Sequence, residues 1–476
     1  MRTKILAVLS VLTLLLIASL WVACSGGGSS TSTKMATVNV SMSDPPTCSS
    51  PGGAFSHVYV TIRDVQIHSS SNAGPNDSGW IDLTPDLKNS PKQVDLLGIA
   101  NNQCLLAMLG SQPIQAGTYQ QVRVYLSPDS DAQKLTSNSC TGNSVNCVVL
   151  TGGGEKPLEL SSEVQTGIKI PSGQLAGGAF TVSDGQSKDL VIDFDACASI
   201  VMQGNGKFRL KPVLHAGEVK LANAISGTLV DKATNQPIPN STGIVALERR
   251  DSSNVDRVVM QTKADANGNF SLCPVPEGTY DVVAVAVTNT GTAYAATIAT
   301  GVAPGSSMGN LPLVAQTGTA TTNATITGRV TTVNGSGGTV SDLTLYAMQQ
   351  VSLGGTNVSF IIPLADQASP SSTVSLTTAT GGSCAASTAC ADYTVKVPAM
   401  WPNIGAYSGN TTAYTQSTAT PVNYIMGAQA FVPSSGGTTN CTPSEQTVST
   451  LDGGGTLSVT AGQSFTAATM PFTGCQ

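Results

Sequence analysis

The feature that most constrains this chain is a period-two alternation of apolar and polar residues that recurs along most of its length. "HVYVTIRDVQIH" sets Val58, Val60 and Ile62 on one face, then changes phase to Val65 and Ile67, which predicts a β-bulge near Arg63 and Asp64. "GTYQQVRVYL" and "KDLVIDFDA" alternate in the same way, and no long helical period competes with them. One short helix is expected around Leu105 to Leu109. Charged residues make up 11% of the chain, against roughly 25% in average soluble domains. After Gln316 the charges reduce to Arg329, Asp342, Asp366, Asp392, Lys396, Glu445 and Asp452. Disorder goes with high charge and few β-branched residues, so this stretch reads as weakly charged β-structure. A net charge of -6 and the lack of a basic cluster argue against nucleic acid as a partner. The 476 residues therefore read as all-β, with about three tandem β-sandwich domains.

The N-terminus, "MRTKILAVLSVLTLLLIASLWVACSGGGSS", places Arg2 and Lys4 before an apolar run from Ile5 to Ala23, then Cys24 and a Gly/Ser tether. An uncleaved membrane anchor is one reading of the run. A secretory signal over 1–23 with a flexible linker over 24–35 is the other, and the one preferred. "WVAC" resembles the bacterial lipobox, with Trp21 where Leu is usual and Leu20 one place early. The resemblance implies lipidation of Cys24 and attachment to a membrane through acyl chains. Ser25, which is not Asp, points by the same resemblance to the bacterial outer membrane.

Setting Cys24 aside leaves ten of the 11 cysteines, an even number that suits disulfides in an exported chain. Cys140 with Cys147, and Cys384 with Cys390, are spaced to staple short loops, and Cys441 with Cys475 would tie the last strand back to its domain. The connectivity of Cys48, Cys104, Cys197 and Cys273 stays open. No C-x-x-C occurs, which excludes a zinc ribbon or thioredoxin-like motif.

Along 36–221 the ordered runs "VNVSMSDPP", "VYVTIRDVQIH", "VDLLGI", "GTYQQVRVYL", "GIKIPSG", "LVIDFDACASI" and "FRLKPVL" resemble a bacterial lipoprotein domain, domain of unknown function 4382. The resemblance implies a β-sandwich in the cell envelope and brings no catalytic residues. Over 222–318, "GTLVDKATNQPIPNSTGIVALE" and "TKADANGNFSLCPVPEGTYDVVAVA" resemble the carboxypeptidase regulatory-like domain, a seven-stranded transthyretin-type sandwich. Related sandwiches include starch-binding modules, so the resemblance admits carbohydrate binding at the level of fold. Residues 319–476 read as a diverged copy: "AISGTLV" at Ala224 is echoed at Thr325, "GTYDVVAVA" at Gly278 by "ADYTVKVPA" at Ala391, and "APGSSMGNLPL" at Ala303 at Thr460.

Few residues point to chemistry. Asp265, Asn267 and Gly268 open like a calcium loop, but Pro274 stands where such a loop needs its bidentate Glu. Asn-Gly between alternating runs reads instead as a tight hairpin turn. His57 and His68 lie eleven residues apart on one extended run, roughly 35 Å at strand rise, and cannot share a metal. His215 reads as a surface residue, and no G-x-S-x-G or H-E-x-x-H motif occurs. Asp193 and Asp195 share a strand face and, with Asp44, are candidate calcium ligands, against a plain solvated strand face. Trp401, Tyr407 and Tyr414 are candidates to stack a sugar ring, against a role for Trp401 as the plug of its own sandwich. The reading is a non-catalytic extracytoplasmic lipoprotein without cofactors. It binds a polysaccharide or an envelope protein, with the first domain as the binding module. A pure spacer, or a hydrolase with an unrecognised site, is the alternative.

Overall fold

The computed structural model describes residues 34–43, 49–50, 53–99, 107–160, 166–171, 175, 179–194, 196–202, 206–210, 214–218, 224–272, 275, 278–335, 337–367, 370–409, 411–419, 421–434 and 437–475. Cys24, Asp44, Cys48, Cys104, Asp195, Cys273 and the side chain of Cys197 lie outside them. The fold is all-β, and no described helix is long and apolar enough to cross a membrane.

In the first domain the strands that build the core are β1 Met35–Ser43, β2 Gly53–His68, β3 Ala107–Gln115, β4 Gln121–Leu126, β5 Cys147–Leu150, β6 Glu155–Glu159, β7 Ile168–Pro171, β8 Ser187–Phe194, β9 Ile200–Met202, β10 Phe208–Leu210 and β11 Leu214–Glu218. One sheet runs β11-β8-β1-β3, the other β7-β4-β2-β5-β6-β10-β9. Their apolar faces meet in one core, with Val38, Val40, Leu190 and Ile192 from the first sheet and Val60, Ile67, Val122 and Val124 from the second. The phase change in β2 is the expected bulge: the register against β4 slips between Ile62 and Asp64, so Ile62 and Val65 are both fully buried. Of the short helix expected from Leu105 to Leu109, residues 105–106 lie outside the described residues and the rest is corrected. Residues 107–109 begin β3, where pairing with β1 overrides local propensity, and the helical turn lies earlier at Leu96–Ile99.

The second segment contains β12 Ile225–Asp231, β13 Ser241–Arg250, β14 Val255–Lys263, β15 Asn269–Leu272, β16 Tyr280–Thr288, β17 Thr297–Val302 and β18 Ser307–Leu313. The third contains β19 Ala324–Asn334, β20 Asp342–Leu353, β21 Thr356–Ile361, β22 Ala389–Val397, β23 Asn403–Ala406, β24 Thr415–Gln416, β25 Ile425–Ser434, β26 Gly437–Val448, β27 Ser464–Thr466 and β28 Met470–Phe472. The same strand order recurs in both: β15-β12-β18 matches β22-β19-β27/β28, and β14-β13-β16-β17 matches β21-β20-β25-β26. The echoes at Ala224 and Ala303 fall on equivalent strands. The echo between Gly278 and Ala391 does not, because β16 corresponds to β25 and β22 to β15. A period-two run marks a strand without saying which strand it is.

The two segments share their second sheet. One long sheet runs β24-β23-β17-β16-β13-β14-β21-β20-β25-β26. Strand β14 pairs in parallel with β21, Val255 beside Ser359 and Asp256 beside Phe360, while β17 pairs in parallel with β23, Thr297 beside Asn403. Strand β16 is consequently buried on both faces: Val282, Ala284 and Ala286 face the core of the second segment, and Val283, Val285 and Val287 join the core of the third. That accounts for its unbroken apolar run, since a strand covered on both sides has no polar face to alternate with. The first domain is tied to this unit by Arg209, whose guanidinium grips both oxygens of Asp342 and also donates to Thr377 Oγ1 at 2.8 Å.

The Asp265–Gly268 turn also differs from the hairpin expected for it. Strand β14 belongs to the long sheet and β15 to the other, so the turn is a corner between layers. Asp265 Oδ1 accepts the N–H groups of Asn267 and Asn269, each at 2.8 Å, and only Gly268 of the Asn-Gly pair adopts positive φ, at 79°.

Candidate functional site

A cleft lies in the first domain, where β2 ends at His68 and the chain loops out before Ile81 returns to pair with Ile67. The loop sequence "SSSNAGPNDSGW" is rich in turn residues and ends in Trp80. Trp80 folds inward. Its ring centroid lies 5.0 Å from that of His68, the Arg123 guanidinium sits 5.3 Å from it, and Nε1 donates to Gly74 O at 2.8 Å. From β4, Gln121 Nε2 and Arg123 Nη2 both donate to Ala73 O, at 3.1 and 3.2 Å. Burial holds the Arg123 guanidinium below its usual range, partly offset by the Tyr125 and Asp77 groups nearby.

His68 is a strut of this cleft. Its Nδ1 accepts the Ser70 N–H at 2.8 Å and its Nε2 donates to Ser78 O at 3.0 Å, so both ring nitrogens are spent on backbone. Above it opens a cleft of about 310 Å³ lined by His68, Ser70, Asn72, Ala73, Asp77 and Ser78. Its rim offers two hydroxyls, a carboxamide and a carboxylate around the His68 ring. That donor set can hold a hydroxyl-rich ligand by several hydrogen bonds.

The residues singled out from sequence are placed as follows. Asp193 is buried in β8, with its backbone paired between Ser43 of β1 and His215 of β11, and it accepts from Ser43 Oγ at 3.1 Å. Asp44 and Asp195, its proposed co-ligands, lie outside the described residues. Among the described residues, a grouping close enough to share a metal is Cys140, Cys147 and Glu155, and its cysteines are joined as a disulfide. His57 lies far along β2 from His68 and contacts Asp95, Nδ1 to Oδ2 2.6 Å.

The three aromatics of the 399–422 loop are divided between two cores. Trp401 packs against the core of the third segment, while Tyr407 and Tyr414 pack against that of the second. Tyr407 Oη donates to Ser307 O at 3.0 Å, and burial pushes the Tyr414 hydroxyl up to about 12. The loop carries β23, so it adds a strand to the neighbouring sheet. The structure forms the disulfides Cys140–Cys147, Cys384–Cys390 and Cys441–Cys475, as the spacings led one to expect. The His68–Trp80 loop escaped the sequence reading, although a turn-rich insert closing on a tryptophan directly after a strand was visible there.

Residues 35–212 match the family described as Domain of unknown function (DUF4382), which bears out the resemblance seen in the first domain. No curated protein matches the chain. Among solved structures it is similar to the Bacillus anthracis TIE protein, at 11% identity over 93% of this chain and 51% of that one, with a TM-score of 0.15. It is also similar to the shaft pilin SpaA of Lactobacillus rhamnosus GG, at 10% identity over 60% of this chain and 98% of that one, TM-score 0.18. A third is the minor pilin GBS52 of Streptococcus agalactiae, at 7% identity over 53% and 97%, TM-score 0.16. The chain spans about half the length of the Bacillus anthracis protein. Scores this low carry no argument about fold or role.

Proposed function

We propose that this chain is a non-catalytic, acyl-anchored protein of the bacterial cell envelope, bound to the outer membrane through Cys24. Its first domain binds a hydroxyl-rich ligand such as a polysaccharide, and its two fused sandwiches form the rigid body behind it. The observation that carries the reading is the cleft over His68, whose rim of Ser70, Asn72, Asp77 and Ser78 is exposed while its supports, His68 and Arg123, are buried. Pre-set polar groups on a rigid floor reduce the ordering cost of binding. The sheet shared by the second and third segments and the Arg209–Asp342 clamp support the scaffold half of the reading.

Glycan-array binding by the mature chain, repeated with Asn72→Ala and Asp77→Ala, tests the cleft. Binding that falls at least tenfold in both variants is expected. Glycan binding that both variants leave intact refutes the cleft, no binding at all returns the chain to a spacer, and cleavage of the bound glycan would make it a hydrolase. Palmitate incorporation that is lost in Cys24→Ala tests the anchor.

A further inference from the structure

Where the two fused sandwiches meet, three carboxyl side chains are buried in the long sheet beside an exposed arginine. Register sets Glu248 opposite Asp281 across β13 and β16, sets Arg250 opposite Asp256 across β13 and β14, and brings Asp256 beside Phe360 of β21. Glu248 and Asp256 are 0% exposed and Asp281 is 8% exposed. Arg250 is the cation beside the two aspartates, reaching Asp256 Oδ2 at 3.4 Å and Asp281 Oδ2 at 3.2 Å. Strand β17 contributes the Gly301 N–H to Asp281 Oδ1 at 2.9 Å, and β21 contributes the Ile361 N–H to Glu248 Oε2 at 3.3 Å. Arg257, Asp251, Tyr346 and Glu445 form a separate linked set across the same joint.

Two of the three carboxyls thus share one guanidinium, and Glu248 has no cation beside it among the described residues. Glu248 Oε1 and Asp256 Oδ1 are buried with no partner at all. A charged oxygen left bare in that position costs far more than a neutral acid. Asp281, by contrast, has both oxygens satisfied, one by the Gly301 N–H and one by Arg250, so Asp256 is the less well-held carboxyl of the two. Burial raises Glu248 well above its ordinary range and Asp256 to about 7, each pushed further by its acidic neighbours.

We propose that this joint is a proton-held lock, in which Glu248 and Asp256 keep their protons while β14 lies against β21, and loss of those protons as pH rises from mild acid through neutrality loosens the two sandwiches from each other. The sign follows from the direction of the shifts. A carboxyl raised on folding stabilises the closed joint fully below its unfolded value, roughly 4, and that contribution is lost as pH climbs through the folded value. The lock is therefore tight in mild acid and weakens from about pH 5 to 8.

Selective ¹³C labelling of glutamate side chains in the full chain tests this without mutation. One glutamate is expected to keep the shift of a protonated carboxyl at pH 7, and that line should vanish in Glu248→Gln. In parallel, hydrogen exchange at Ser359, whose N–H donates to Asn254 O at 3.0 Å across the joint, is corrected for its intrinsic pH dependence. The opening constant should rise about tenfold per pH unit for each proton lost, and should be flat in the Glu248→Gln, Asp256→Asn variant. Glutamates that are all ionised at pH 7, or an opening constant equal at pH 5 and pH 9 in the unmodified chain, would overturn the proposal. If the double variant does not fold, these two measurements on the unmodified chain decide the matter.

Discussion

Truncating Arg209 to alanine should loosen the first domain from the rest of the molecule by an amount the structure allows to be worked out. The Arg209 and Asp342 side chains are only 13% and 6% exposed, and the pair spans two domains. Removing the guanidinium strands a buried carboxylate whose remaining partner is Thr377 Oγ1, at 3.0 Å. Breaking one half of a buried pair costs about 3–5 kcal/mol, most of it the unpaired charge. Asp342→Ala alone should cost a similar amount, and the double variant much less than the sum, giving a coupling of about 2–3 kcal/mol. Equilibrium urea unfolding reads this directly, because Trp80 reports on the first domain and Trp401 on the third segment. In the unmodified chain the two signals should change together, and in Arg209→Ala the Trp80 transition should fall to lower urea. A coupling below about 0.5 kcal/mol is typical of exposed pairs. It would mean that the clamp is open in solution and that the domains are not held as one body.

Further expectations follow from other contacts. Replacing Cys441 and Cys475 by serine releases a 34-residue loop and should cost up to about 4 kcal/mol by loop entropy; a change under 1 kcal/mol in chemical denaturation would contradict that. Gly268→Ala places a Cβ 2.6 Å from Leu229 O at a φ of +79°, so it should destabilise by about 2 kcal/mol, whereas Asn267→Ala should cost well under 1. Trp401→Ala should lower stability by about 3 kcal/mol through lost packing while leaving glycan binding unchanged; loss of binding at full stability would restore the aromatic loop as the ligand platform.

Much of the architecture was legible because strand alternation is a local signal. The slip from Ile62 to Val65 marked a bulge, and the cysteine spacings marked three staples. What stayed hidden depends on which strands find each other at long range. Nothing in "MWPNIGAYSGNTTAYTQ" shows that Asn403–Ala406 will extend a sheet begun a hundred residues earlier, so its aromatics read as exposed when two of them seal a neighbouring core. The clue that was available lay in "YDVVAVAVT", where the absence of alternation announced a second covered face. Likewise no local pattern marks Glu248, Asp256 and Asp281 as buried, since they meet only through the pairing of separate strands.

The account rests on the second and third segments sharing one sheet. Amide hydrogen exchange at Asn403, whose N–H donates to Ala296 O at 2.8 Å, tests it most directly. If the sheet is continuous, Asn403 should be protected to the same degree as Val283 within β16. Exchange at the rate of an open loop, with Val283 still protected, would mean that two separate sandwiches stand where one fused body is described.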